Sequence, residues 1–170
     1  MTQSIKTIVI IACAFILQVS AVQAASDGYV LPQALATEAA AEAIKVCEGS
    51  GYRVSVAVVD DSGVLKLFMK GDKSTIHTYD ASFRKAYTVV TMGPIFKFDA
   101  SSQFVEKFSK NPSPPALSTL PNIALLPGAV AIRVKGEIVA ALGVGGAAGG
   151  DKDEICAQAG LAKIVDRLPK

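Results

Sequence analysis

Two apolar rhythms alternate along this chain, one with the period of a helix and one with the period of a strand. In residues 31–48, an alanine-rich segment, Leu35, Ala39, Ala43 and Val46 recur at helical spacing, with Glu42 on the same stripe. Pro32 stands at its start, where a missing N–H is tolerated, and Gly49 and Gly51 end it. Residues 54–59 and 64–69 read as two strands joined by Asp60-Asp61-Ser62-Gly63, residue types that favour tight turns. Asp72-Lys73-Ser74-Thr75 opens a second helix, predicted to run to about Thr91 and to be closed by Gly93-Pro94. A shorter helix is predicted from Asp99 or Ser101 to Lys110, with Phe104, Val105 and Phe108 on one face. Residues 111–122 hold four prolines and read as a loop.

The densest pattern lies in residues 128–167. Val130, Ile132 and Val134 alternate as a half-buried strand does, and Lys135-Gly136 is a candidate two-residue turn. Residues 138–144 resume as an apolar strand. A glycine- and alanine-rich stretch then leads to Asp151 and a last helix. The order is helix, hairpin, helix, short helix, loop, hairpin, helix. Hairpins imply antiparallel pairing, so the fold class is α+β, one sheet covered by helices. Neither an internal repeat nor a second domain is visible.

The first 24 residues stand apart from this pattern. Lys6 supplies a positive start, residues 8–19 an apolar stretch, and Val22-Gln23-Ala24 a small-residue cleavage site, the layout of a signal peptide. The apolar stretch falls short of the ~20 residues that span a bilayer. Ile10-Ile11-Ala12-Cys13 resembles a lipoprotein box, but it leaves an apolar region shorter than the ~7 residues a signal needs. Removal of the signal leaves residues 25–170 as a single domain, periplasmic or secreted, with no membrane association afterwards. Net charge is +2, or +1 without Lys6, and there is no basic block. Nucleic acid and anionic membrane surfaces are therefore excluded as partners. Of the three cysteines, Cys13 leaves with the signal. Cys47 and Cys156 remain on the two terminal helices, either as a disulfide or as two buried thiols. Neither has a second Cys or His at metal-ligand spacing.

Candidate chemistry is sparse. Gly143-Val144-Gly145-Gly146-Ala147-Ala148 has the spacing of a dinucleotide loop, but no parallel strand follows the last helix, and the dinucleotide reading fails. What survives is a glycine loop before a helix N-terminus, either a structural turn or a wall for an anionic ligand. Asp151-Lys152-Asp153-Glu154 is close to a capping box and competes for the same N–H groups. His77 is the single histidine. It sits near the first turn of the second helix, and imidazole is a common ligand of metals and of haem iron. A hydrolytic triad is unsupported, because no G-x-S-x-G elbow and no second base exist. No catalytic residue is assigned. Further along, Arg84 and Thr88 share a helix face, and Lys85 and Met92 lie near each other. The cations suit carboxylates and Met92 suits a flat apolar ligand, although spacing alone equally fits an ordinary amphipathic helix.

Several of these segments resemble the GlcG/HbpS-like haem-binding family. The resemblance rests on Val56-Ala57-Val58-Val59-Asp60-Asp61-Ser62-Gly63, on Arg84-Lys85-Ala86-Tyr87-Thr88, on residues 130–144, and on Asp153-Glu154-Ile155-Cys156-Ala157. It extends over residues 31–168. It implies a profilin-like fold with a central antiparallel sheet of about five strands, usually assembled as a homo-oligomer. Exported members of the family bind haem and some are described as haem-degrading; others are encoded beside glycolate or diol metabolism. The chain departs from the family at Gly128-Ala129-Val130, where many members carry consecutive glycines before Val-Pro-Ile.

The expectation is an exported haem-binding protein, for sequestration, sensing, protection or degradation. His77 would approach the iron, with Thr78 beside it. Arg84 or Lys85 would pair with propionates, Thr88 and Met92 would line the site, and Gly145, Gly146 and Gly149 would wall it. The ligand is then haem or another small anion. Two other readings compete: an enzyme or accessory protein acting on a small hydroxy acid or carboxylate through Lys85 and the glycine loop, and a structural oligomer without a small ligand.

Overall fold

The computed structural model describes residues 28–110 and 114–170, so the expected signal at residues 1–24 lies outside the described residues. Helix α1 (Gln33–Gly49) leads into the hairpin of β1 (Ser55–Asp60) and β2 (Leu65–Lys70), then α2 (Thr78–Phe96), α3 (Ser101–Ser109) and a short α4 (Pro114–Ser118). The second hairpin, β3 (Ala129–Val134) and β4 (Glu137–Gly145), is followed by α5 (Gly150–Ile164) and a 3-10 turn, Val165–Arg167.

The two hairpins join side by side in the order β2-β1-β4-β3, every pair antiparallel. The sheet has four strands among the described residues, where about five were expected. The place beyond β3 is filled by a segment too short to form a ladder. The Ala131 N–H donates to the Asp99 carbonyl at 2.7 Å and Ala100 makes a single bridge to Val130, after which the chain turns into α3. At the tip of the second hairpin Lys135 and Gly136 both take positive φ (50° and 84°), the twist a two-residue turn needs.

Strand alternation divides the core into two layers. Val56, Val58, Ile132, Leu142 and Val144 face α1 and α5, while Val59, Ala129, Ala131 and Ala141 face α2 and α3. On α1 the buried stripe is Ala36, Ala39, Ala40, Ala43, Ile44 and Cys47; the expected Leu35, Glu42 and Val46 lie at its half-buried rim. The reason is how near α5 comes. A Cβ on Gly160 would stand 3.2 Å from the Ala43 Cβ, so only small side chains fit between the two helices. Cys47 and Cys156 close this contact as a disulfide with a Cα–Cα distance of 5.6 Å, which decides between the two readings of that pair.

Helix α2 starts and stops later than the sequence suggested. Lys73 takes a left-handed φ of 61°, and Ser74 donates its hydroxyl to the Gly71 carbonyl, so residues 72–75 form a turn instead of a first helical turn. At the far end the helix passes through Gly93-Pro94. Lys97, left-handed at φ 57°, ends it by donating its N–H to the Gly93 carbonyl at 2.8 Å. Among its described residues, the proline-rich stretch expected as loop contains the short helix α4.

Candidate functional site

Helix α2 carries most of the residues singled out by the sequence, and it lies on a strip of small side chains. A Cβ on Gly145 would come within 2.9 Å of the Ala81 Cβ, and one on Gly143 would collide with the Ser82 carbonyl. These glycines let the helix settle against β4. Gly145 is therefore buried under α2 and offers no open wall. Gly146 (φ 131°) is exposed beside the start of α2, with Thr78 Cγ2 at 3.1 Å from where its Cβ would stand. Gly149 (φ 135°) is also exposed and forms the N-cap position of α5, without a side-chain cap.

His77 precedes α2 and is exposed. Its Nδ1 lies 2.9 Å from the Thr75 hydroxyl, which orients the ring and leaves Nε2 directed away from that bond. Ile76 (93% exposed) and Tyr79 (45%) flank it, and Tyr79 meets Phe68 of β2 edge to face at 4.8 Å. An exposed imidazole with apolar residues close by in sequence fits a flat apolar ligand carrying iron. Thr78 is turned inward. It donates to the Thr75 carbonyl at 2.6 Å and lies 2.8 Å from the Ser55 hydroxyl.

Lys85 is where the structure departs furthest from the expectation. It is buried, and its ammonium donates to Asp153 Oδ2 at 2.6 Å and to the Val144 carbonyl at 3.0 Å. A lysine so committed is not presented to a propionate. Asp153 also accepts the Ala147 N–H at 2.9 Å, so one carboxylate ties α2, the end of β4 and the glycine loop to α5. Burial pushes the Asp153 carboxyl above the usual carboxylate range, although Lys85 and the N–H groups of Ala147 and Gly146 pull it back. Gly128 (φ 125°) makes room for the pair, because a Cβ there would stand 2.7 Å from the Lys85 ammonium. Next to it, Glu154 accepts the N–H groups of Ser102 (2.9 Å) and Gly128 (3.2 Å) and the Ser102 hydroxyl (2.5 Å).

Arg84 and Thr88 share a face as expected, and both grip the segment that leads to β3. Arg84 donates to the Ile123 carbonyl at 2.8 Å, and the Thr88 hydroxyl accepts the Ala124 N–H at 2.8 Å. Beyond them Tyr87, Thr91, Met92, Leu120, Pro121 and Ile123 line an apolar groove of about 290 Å³.

The expected site residues thus form two groups on one helix. His77, Thr78 and Gly146 stand at its start; Met92 lines the groove near its end, and Arg84 and Thr88 hold the segment that brings Ile123 to it. At ~1.5 Å per residue, His77 and Met92 are about 22 Å apart along the axis, beyond the reach of one porphyrin. Sequence reasoning placed Asp153 and Glu154 in a near capping box and in the family resemblance but not in the site, and they are buried hubs beside it. The available signal was Lys85 itself, which shares a helix face with Thr78, Ser82, Ala86 and Val89, all buried. Among the described residues, no three His, Cys, Asp or Glu side chains cluster as a metal site.

The profile of the family described as "Haem degrading protein HbpS-like" matches residues 31–162. Among solved structures, a double-mutant form of HbpS from Streptomyces reticuli is 34% identical, with a TM-score of 0.72 over 81% of this chain and 88% of that one. The Klebsiella pneumoniae protein ORFY (20% identity, TM-score 0.70, 79% of this chain and 90% of that one) shares the fold. So does PduOC, crystallised as a haem complex (18% identity, TM-score 0.68, 80% and 96%). No curated protein sequence is similar enough to count as a relative.

Proposed function

The chain belongs to the HbpS-like haem-degrading protein family, and from that premise we propose that it is an exported haem-binding protein whose iron ligand is His77. The observation that carries the assignment of His77 is its exposed imidazole. Thr75 anchors one ring nitrogen, and Ile76 and Tyr79, close to it in sequence, are exposed. That PduOC was crystallised with haem supports the ligand class. Export is supported by the signal-like residues 1–24 and by the Cys47–Cys156 disulfide, which persists in oxidising compartments.

Haem, when bound, supplies an iron centre for redox and ligand chemistry. The chain supplies the imidazole, its orientation through Thr75, and the apolar surface beside it. Arg84 is the exposed cation of α2 and takes the propionate role that Lys85, committed to Asp153, cannot. An activity on small carboxylates through Lys85 has no observation in its favour, for the same reason.

Titration of the mature chain with hemin, followed through the Soret band, tests the assignment. Saturable binding that weakens at least tenfold in His77→Ala is expected. Equal affinity in the variant would remove His77 from the role, and the absence of saturable binding in the wild type would sink the haem reading.

A further inference from the structure

The turn that carries His77 is tied to the sheet beneath it by three hydroxyls. Ser55 of β1, Ser74 and Thr78 are all buried. The Ser55 hydroxyl lies 2.9 Å from that of Ser74 and 2.8 Å from that of Thr78. Beyond the trio, Ser74 reaches the Gly71 carbonyl at 2.9 Å and Thr78 the Thr75 carbonyl at 2.6 Å. The neighbours of Ser55 along the strand, Val54 and Val56, are buried and apolar, and a hydroxyl among them costs free energy unless it is bonded.

Counting protons fixes the arrangement. The three hydroxyls carry one proton each, and the four contacts need four. Carbonyls only accept, so Ser74 is the donor to Gly71 and Thr78 the donor to Thr75. Ser55 then has one proton for two oxygens, and one contact goes without. It is supplied only when Ser74 or Thr78 turns its proton from its carbonyl to Ser55. Either carbonyl can release it, because each also accepts a backbone N–H at 3.2 Å, from Ser74 and from Thr78. The distances decide which hydroxyl turns. The contacts that lead from Ser55 to Thr75 are 2.8 and 2.6 Å, and those that lead to Gly71 are both 2.9 Å. Thr78 keeps its proton on Thr75, Ser55 gives its own to Thr78, and Ser74 is the one that turns.

This line of bonds ends on the residue that orients the imidazole. Thr75 is held at its carbonyl by Thr78, and its hydroxyl meets His77 Nδ1 at 2.9 Å. Thr75 and His77 are both exposed, so water competes for the bond between them. The anchor below is closed to water. We propose that Ser55 is a positioning residue for His77, holding the orientation of the ring through Thr78 and Thr75 from within the sheet. The consequence for hemin rests on the haem reading above; the orientation of the ring does not.

His77 is the single histidine, so in the mature, untagged chain every imidazole nitrogen resonance is its own. With the ring neutral and no hemin present, one tautomer should dominate in the wild type. Ser55→Ala should move the two nitrogen shifts towards the averaged values of a solvated imidazole, and Ser74→Ala should not. Each variant removes one buried hydroxyl with two contacts, so a merely structural role would move both alike. Hemin affinity should follow, about fivefold weaker in Ser55→Ala and within about twofold of wild type in Ser74→Ala. Adding Ser55→Ala to His77→Ala should cost nothing further, because Ser55 acts through that ring.

A ring already averaged in the wild type would overturn the positioning role, as would shifts unmoved by Ser55→Ala or moved as far by Ser74→Ala. The haem reading would survive each of these. An undiminished effect of Ser55→Ala on hemin in the His77→Ala background would also overturn it. Shifts that respond as expected in a chain without saturable hemin binding would sink the haem reading and leave the hold of Ser55 on the ring standing.

Discussion

Lys85→Met removes one half of an ion pair whose side chains are 5% and 3% exposed. Breaking a buried pair from one side costs ~3–5 kcal/mol, because the remaining charge has lost both water and partner. The Val144 carbonyl also loses a donor, worth ~1 kcal/mol. Asp153 has one escape, which is to take up a proton. Burial already holds its carboxyl above the ordinary range with Lys85 present, and without Lys85 the main opposing influence is gone.

The sign follows from that direction. A carboxyl whose pKa is raised on folding binds its proton more tightly in the native state. Its contribution to stability is complete below the unfolded value of ~3.9 and is lost as pH rises through the folded value. The largest slope one group can give is ~1.4 kcal/mol per pH unit. In Lys85→Met the loss should extend further towards neutral pH than in the wild type. Urea unfolding followed by far-UV circular dichroism between about pH 5 and pH 8, with the disulfide intact, reads it out. At neutral pH the variant should lie ~3–5 kcal/mol below wild type, with the gap narrowing in acid. Lys85→Met with Asp153→Leu should recover most of the loss, since no charge is left buried. A gap under ~1 kcal/mol at neutral pH, or one that widens in acid, would refute the reasoning.

Cys47→Ala with Cys156→Ala opens a loop of 109 residues, and chain entropy sets the loss near ~4.7 kcal/mol with ~2–5 typical. Urea midpoints should fall accordingly, and a change below ~1 kcal/mol would contradict a structural role. Gly128→Ala places a Cβ 2.8 Å from that of Asp153 at a φ of 125°, and neither backbone nor Cβ can yield as the lysine tip can. A loss of at least ~2 kcal/mol is expected in thermal unfolding, and an unchanged Tm would show that the β3–α5 junction is slack. His77→Ala, at an exposed position, should leave stability within ~0.5 kcal/mol while hemin affinity falls. A parallel loss of both would make the histidine structural.

Local pattern was enough to read the hairpins and helices. Val130, Ile132 and Val134 could alternate in only one way on a sheet, and Lys135-Gly136 marks its own turn. The errors arose where a contact that the local pattern does not announce decides the outcome. Gly93-Pro94 looks like a helix stop, yet Lys97 beyond it supplies the N–H that ends α2. Arg84 and Lys85 are equivalent cations by composition, and only the seating of α2 on Gly143 and Gly145 turns one outward and the other onto Asp153. The helix wheel held part of that information. Lys85 shares its face with Thr78, Ser82, Ala86 and Val89, residues too small or too apolar for a solvated edge. A cation in such company is a buried cation, and it obliges an acid to meet it from another element.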